Sequence, residues 1–179
     1  MAPVDCTRVL AEAKRPGVPF FLHYKHAALR AVNQVEAFRC RVEDQQVVCY
    51  DRLHASATIG RAGHPFGFFF IEHHDALMDF LPAAQAEIAA VQASAGRRLN
   101  AQTGRPDVIH FLARPWVRFT GLSHARGFTH PGSCPQVSVG QTGAAGAATP
   151  VPVSMNVHHG LADGYHVGQF LAAFQEQLG

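Results

Sequence analysis

Val151-Pro152-Val153-Ser154-Met155-Asn156-Val157 is an apolar run of strand length, and His158-His159-Gly160-Leu161-Ala162-Asp163-Gly164-Tyr165-His166-Val167-Gly168 follows it directly. Beyond Gly164, the apolar residues Val167, Phe170, Leu171 and Phe174 fall at i, i+3, i+4 and i+7, which predicts a helix from Gly164 to Leu178. The two histidines therefore stand between a strand end and a helix start, where loops converge and a substrate can approach. Asp163 is placed to cap that helix or to orient its neighbourhood through a salt bridge, and Gly164 permits a tight reversal. No serine or cysteine nucleophile adjoins the doublet. That combination suits a general base acting on a substrate hydroxyl. It suits equally a histidine satisfied by the backbone beside a helix cap, and the residues alone leave both readings open.

Upstream, Thr7 can cap a short helix from Arg8 to Lys14, ended by Pro16-Gly17, and Pro19 opens a second helix over Phe20 to Asn33. Phe38 to Val42 and Val47 to Tyr50 read as a hairpin, and Gly67 to Ile71 as a compact apolar strand. A helix over Asp75 to Ala95 contains Pro82, which can kink or restart it. Further strands are expected at Val108–Leu112, Trp116–Phe119 and Gln136–Val139. The small-residue stretch from Gly140 to Pro150 reads as the hairpin loop before the strand at Val151. Helices and strands mix without strict βαβ alternation. The expected fold is a two-layer α/β sandwich, a mixed sheet with helices packed on one face, in a single domain over residues 1–179.

Composition narrows the function. The 179 residues carry a formal net charge of +2 and no lysine-rich run, which argues against nucleic acid. The N-terminus has no basic start followed by an apolar stretch and the longest apolar runs, such as Phe66 to Ile71, are too short to span a bilayer, so a cytoplasmic protein is expected. Cys6, Cys40, Cys49 and Cys134 show no CxxC spacing, and the histidine doublets lack metal-site spacing, so no metal is expected. If Asp44-Gln45 is a two-residue turn, Cys40 and Cys49 oppose each other; two packed thiols are expected there rather than a disulfide. The other doublet, His73-His74, with Asp75 at a helix start, reads as surface.

The run His158 to Gly168 resembles the HHxxxDG(F/Y)HV signature of the chloramphenicol acetyltransferase family. Pro19 to Asn33, Phe38 to Asp51, Phe66 to Phe80 and Pro115-Trp116-Val117-Arg118-Phe119-Thr120 are similar to further segments of that family, in the same order. The resemblance implies an acetyl-CoA-dependent O-acetyltransferase without an acyl-enzyme. His159 would take the proton of a small-molecule hydroxyl acceptor as it attacks the thioester. Asp163 and His158 would support the site structurally, Ser138 would match a threonine that holds a water near the tetrahedral intermediate, and Trp116 and Phe119 would pack a strand beside the site. His158 and His159, on one strand, would point to opposite faces. A homotrimer with sites at subunit interfaces is also implied.

Three departures from the family pattern stand out. The resemblance begins at the family's second strand, so the arginine that pairs with the motif aspartate has no counterpart and Asp163 needs another partner. Gly121 occupies the position of the serine whose hydroxyl stabilises the oxyanion, a donor whose loss typically costs about 10²–10³ in rate. Gln141-Thr142 replaces a basic-aromatic pair that contacts CoA. A catalytically degenerate relative, binding a small ligand or serving in assembly, is the alternative these departures favour.

Overall fold

The computed structural model describes residues 1–14, 19–61, 64–123 and 132–179. In chain order these form β1 (Ala2–Asp5), α1 (Thr7–Glu12), α2 (Phe20–Gln34), α3 (Glu36–Arg39), β2 (Cys40–Glu43), β3 (Gln46–Cys49), β4 (His54–Arg61), β5 (His64–Ile71), α4 (Leu77–Ala93), β6 (Val108–Ala113), β7 (Gln136–Val139), β8 (Pro150–Asn156) and α5 (Gly164–Leu178). Six strands make one mixed sheet in the order β1-β8-β7-β6-β4-β5, and β2 and β3 make a separate hairpin. The β4–β6 and β6–β7 pairs are parallel, and the remaining pairs are antiparallel.

Side-chain alternation divides the sheet into two faces. Val4, Val151, Val153, Val137, Val139, Ile109, Phe111, Ala55, Ala57, Phe69 and Ile71 share one core with Leu22, Leu29 and Val32 of α2, Phe80 and Val91 of α4, and Phe170 and Phe174 of α5. The alternate residues line up across the strands on the other face. One row runs Phe70, Ser56, His110, Gln136, Asn156; one step on, Thr58 pairs with Phe68, and Ser138 with Leu112 and Ser154. This is the expected two-layer arrangement. Phe170 and Phe174 stack at 5.6 Å between centroids and are fully buried. Truncating either to alanine should cost about 3–5 kcal/mol.

β8 carries two prolines inside the sheet without losing its place. Cys6 N–H donates to the Thr149 carbonyl at 3.1 Å, which sets the hydrogen-bonded positions of the β1–β8 ladder. Pro3, Pro152 and Pro150 then fall at the alternate, non-hydrogen-bonded positions, where no N–H is required on that side. Pro19 caps α2 as expected, and α4 runs through Pro82 as one helix.

Several expectations are corrected. β1 and β4 were not legible as strands; β4 begins His54-Ala55-Ser56-Ala57 and is buried on both faces there, so it shows no polar alternation. Trp116 to Phe119 is not a strand but an irregular turn, closed by Val117 N–H donating to the Arg114 carbonyl at 3.0 Å, with Trp116 77% exposed. Thr7 does not cap α1; its N–H and hydroxyl both donate to Asp5 Oδ1, and the helix starts at Thr7 itself. The turn at Pro16-Gly17 lies outside the described residues. Asp44 and Gln45 both adopt left-handed φ values, 47° and 63°, as a two-residue hairpin turn requires. Cys40 and Cys49 do face each other, but as a disulfide rather than two thiols.

One buried charge had no sequence signal. Lys25 sits on the core face of α2, 1% exposed, with Nζ 4.5 Å from the ring centroids of Phe21 and Phe69 and 5.3 Å from Phe111. Complete burial pulls its ammonium down to about 7.

Candidate functional site

β8, between the edge strand β1 and β7, delivers the chain to the motif and ends at Asn156. His158 and His159 therefore lie in the turn beyond it, and strand alternation does not decide where their rings point. The turn is held from His158: its carbonyl accepts from Leu161 N–H at 2.9 Å and Ala162 N–H at 3.0 Å. Its ring folds back over the same turn, with Nδ1 accepting from Gly160 N–H at 3.2 Å. That contact leaves the proton of the neutral ring on Nε2. A Cβ at Gly160 would come within 3.1 Å of the His158 ring, so a side chain there would make the ring give by a few tenths of an ångström. Ala162 is buried and anchors the turn in the core. His158 thus acts within the backbone. His159 is exposed at the apex and makes no hydrogen bond among the described residues.

Asp163 caps α5. Its Oδ1 accepts from Tyr165 N–H at 3.0 Å and His166 N–H at 3.4 Å. His166 Nδ1 lies 2.8 Å from that oxygen and 3.2 Å from Asp163 N, a reciprocal capping box with histidine at its third position. A ring protonated on Nδ1 donates to the carboxylate; one protonated on Nε2 alone accepts from the Asp163 N–H. The His166 ring and the backbone amides hold the Asp163 carboxyl below its ordinary value. The other partner that Asp163 needs is a histidine three residues along the chain, in the first turn of the helix it caps. A capping-box search for Glu or Gln passes over it.

Ser138 is fully buried in β7, opposite Leu112 of β6 and Ser154 of β8. Gly121 is exposed, and a Cβ built on it meets nothing within 4 Å among the described residues. Neither residue, nor His159, lines the clefts found among the described residues. One of these, about 390 Å³, lies between the aromatic start of α2 (Phe20, Phe21, Tyr24) and Gln141 and Thr142, with Leu10 and Pro115 at its sides. Another, about 230 Å³, opens on the sheet face away from the helices, among Thr58, Phe68, His110, Leu112 and Gln136. Trp116 stands in solvent and does not pack there.

The doublet at His73-His74 is not a surface pair, since His73 is buried and His74 half-buried. His73 is buried, with Nδ1 unpaired among the described residues and 3.9 Å from Asp75, and burial pushes it down to about 4. Its N–H donates to His54 Nδ1 at 3.1 Å, and His26 Nε2 contacts the His74 carbonyl at 2.9 Å. These are packing contacts of α2, β4 and the approach to α4, which starts at Leu77 and not at Asp75. Among the described residues no group of three or more His, Cys, Asp or Glu could hold a metal ion. No helix among them is long and apolar enough to cross a membrane.

The sequence model of the family described as "Chloramphenicol acetyltransferase" matches residues 1–175. Chloramphenicol acetyltransferases of Klebsiella sp and Escherichia coli are each 26% identical over 176 residues, covering 97% of this chain and 78% of theirs. The Staphylococcus aureus enzyme is 24% identical, covering 97% and 81%. Among solved structures, a chloramphenicol acetyltransferase superposes with a TM-score of 0.91 at 26% identity, over 99% of this chain and 86% of its own. The dihydrolipoamide acetyltransferase of Azotobacter vinelandii shares the fold, with a TM-score of 0.74 at 13% identity over 99% and 79% of the two chains.

Proposed function

Because the chain belongs to the chloramphenicol acetyltransferase family, we propose that it is an acetyl-CoA-dependent O-acetyltransferase whose general base is His159. The supporting observation is the division of labour in the motif turn. His158 and Asp163 are occupied in holding the turn and capping α5, and His159 alone is left exposed and unbonded among the described residues. A neutral imidazole there removes the proton of an acceptor hydroxyl as its oxygen attacks the thioester carbonyl. The tetrahedral intermediate then collapses and expels CoA thiolate, which takes up the proton.

On this reading the cleft between α2 and Gln141-Thr142 takes the arm of acetyl-CoA. Ser138 is buried in β7 and acts through a water, and Gly121 leaves the oxyanion without the family's hydroxyl donor. An exposed base needs a second wall to exclude water. A neighbouring copy, in a homotrimer, supplies it, and the acceptor is a small hydroxyl compound. The protein acts in the cytoplasm as one domain, without a metal.

The test is thiol release from acetyl-CoA with a panel of hydroxyl acceptors, chloramphenicol included, beside calorimetric titration with acetyl-CoA. Acceptor-dependent release supports the reading. Binding without release favours the degenerate alternative, for which the open Gly121 position is the specific observation; no binding at millimolar acetyl-CoA removes the enzyme.

A further inference from the structure

The disulfide joining Cys40 and Cys49 crosses the hairpin of β2 and β3. Tyr50 N–H donates to the Arg39 carbonyl at 3.0 Å one register step away, so the two cysteines occupy a non-hydrogen-bonded pair, where opposed side chains come closest. Their surroundings differ sharply. Cys49 ends a strand whose residues are all exposed. Cys40 is 8% exposed and lines a cleft of about 530 Å³ with Gln34, Val35 and Glu36 on one side and Tyr165 and His166 on the other. That cleft joins the bridged hairpin to the capped first turn of α5.

We propose that the Cys40–Cys49 bridge is a thiol-exchange site, at which a small-molecule thiol attacks Cys49 Sγ and opening of the bridge loosens the cleft wall beside the first turn of α5. The attacking thiolate forms a bond to Cys49 Sγ as the Cys40–Cys49 bond breaks. The electron pair leaves on Cys40 Sγ, which then takes up a proton. A second thiol resolves the mixed disulfide, leaving both cysteines reduced and the two small thiols joined as their own disulfide. The bridge itself is the oxidant. Attack falls on Cys49 because exchange requires access to the sulfur, and Cys49 lies on an exposed strand while Cys40 is a buried residue. Once released, the Cys40 thiol has an acceptor 3.5 Å away in the Glu36 carbonyl.

The remaining cysteines do not compete. Cys6 is buried and donates to the Thr149 carbonyl at 2.8 Å; Cys134 donates to the Val108 carbonyl at 3.0 Å. Burial pushes both thiols up to about 11, leaving little thiolate at neutral pH. The proposal rests on the bridge and the cleft and holds whether or not the chain transfers acetyl groups.

The folded protein is incubated with reduced glutathione, and adducts are mapped by mass spectrometry of the intact chain and its peptides. A single adduct on Cys49 is expected first. In parallel, Cys40→Ser and Cys49→Ser are treated with oxidised glutathione. Cys49 in the first should react about tenfold or more faster than Cys40 in the second. Amide exchange at Tyr165 and His166 should quicken a few-fold once the bridge is open. Adducts first on Cys40, on Cys6 or Cys134, or only in denaturant would overturn the exchange site. Unchanged exchange at the two amides would overturn its link to α5. Should either serine variant fail to fold, the adduct map of the unsubstituted chain decides.

Discussion

Asp163 and His166 close the start of the last helix on each other: the carboxylate accepts both first-turn amides, and the imidazole Nδ1 lies 2.8 Å from the same oxygen. The cap is completed by residues of the helix it starts, without a side chain from another segment. A negative charge at that end also suits the helix dipole.

This cap should show a defined pH dependence. Hydrogen bonds from His166 and the backbone amides lower the Asp163 carboxyl below its ordinary 3.8. A group lowered on folding contributes stability above its unfolded value and loses it as pH falls through the folded one. Asp163→Ala should therefore melt below the unsubstituted chain at pH 7, and the gap should close as the pH drops beneath the carboxylate range. An equal gap at pH 7 and at pH 2.5, by thermal circular dichroism, would contradict the cap.

For the motif histidines, His159→Ala should reduce acetyl transfer by about 10²–10⁴, the usual worth of a general base, with the melting temperature nearly unchanged. His158 holds Gly160 N–H, so His158→Ala should act mainly by lowering the melting temperature. Equal transfer rates for His159→Ala and the unsubstituted chain would remove the base.

Gly121 has open space around its Cβ position among the described residues and no left-handed φ, so a side chain fits there without backbone strain. Gly121→Ser should raise kcat, by up to about 10²–10³ if the hydroxyl reaches the oxyanion. A rate that stays flat while the variant folds normally would show that the loop around Gly121 does not deliver the donor.

Lys25 should oppose folding at neutral pH. Its folded value, about 7, lies below the ordinary 10.5, so between those limits the unfolded chain binds more protons and stability rises with pH. Lys25→Met removes the charge and keeps the bulk against Phe21, Phe69 and Phe111. It should add on the order of a few kcal/mol at pH 7 and flatten the rise from pH 7 to 9.5. Urea titrations at several pH values measure both, and a destabilised variant would mean that the contacts of the ammonium with the rings outweigh its desolvation.

The chemistry-bearing end of the chain was largely readable in advance. The apolar spacing of Val167, Phe170, Leu171 and Phe174 set the closing helix, and its bounds, Gly164 to Leu178, came out as expected. The hairpin turn at Asp44-Gln45 and the strand before the doublet were legible for the same reason. Each is a local pattern whose period matches one backbone geometry. Less yielded where long-range packing decides. β4 is short of polar alternation because both its faces are covered near His54, and Pro115 to Phe119 has strand-like residues but folds as a turn, leaving Trp116 in solvent. Register put Cys40 opposite Cys49, but opposition alone does not choose between a bond and two thiols. Likewise Asp163 was recognisable as a cap, while its choice of His166 over a distant arginine depends on where a ring lies in three dimensions. Lys25 is the sharpest case. Nothing in its neighbours along the chain marks it for burial, and only the convergence of α2, β5 and β6 encloses it in three aromatic rings. Periodicity constrains a segment's conformation, and burial is set by whichever distant segments come to cover it.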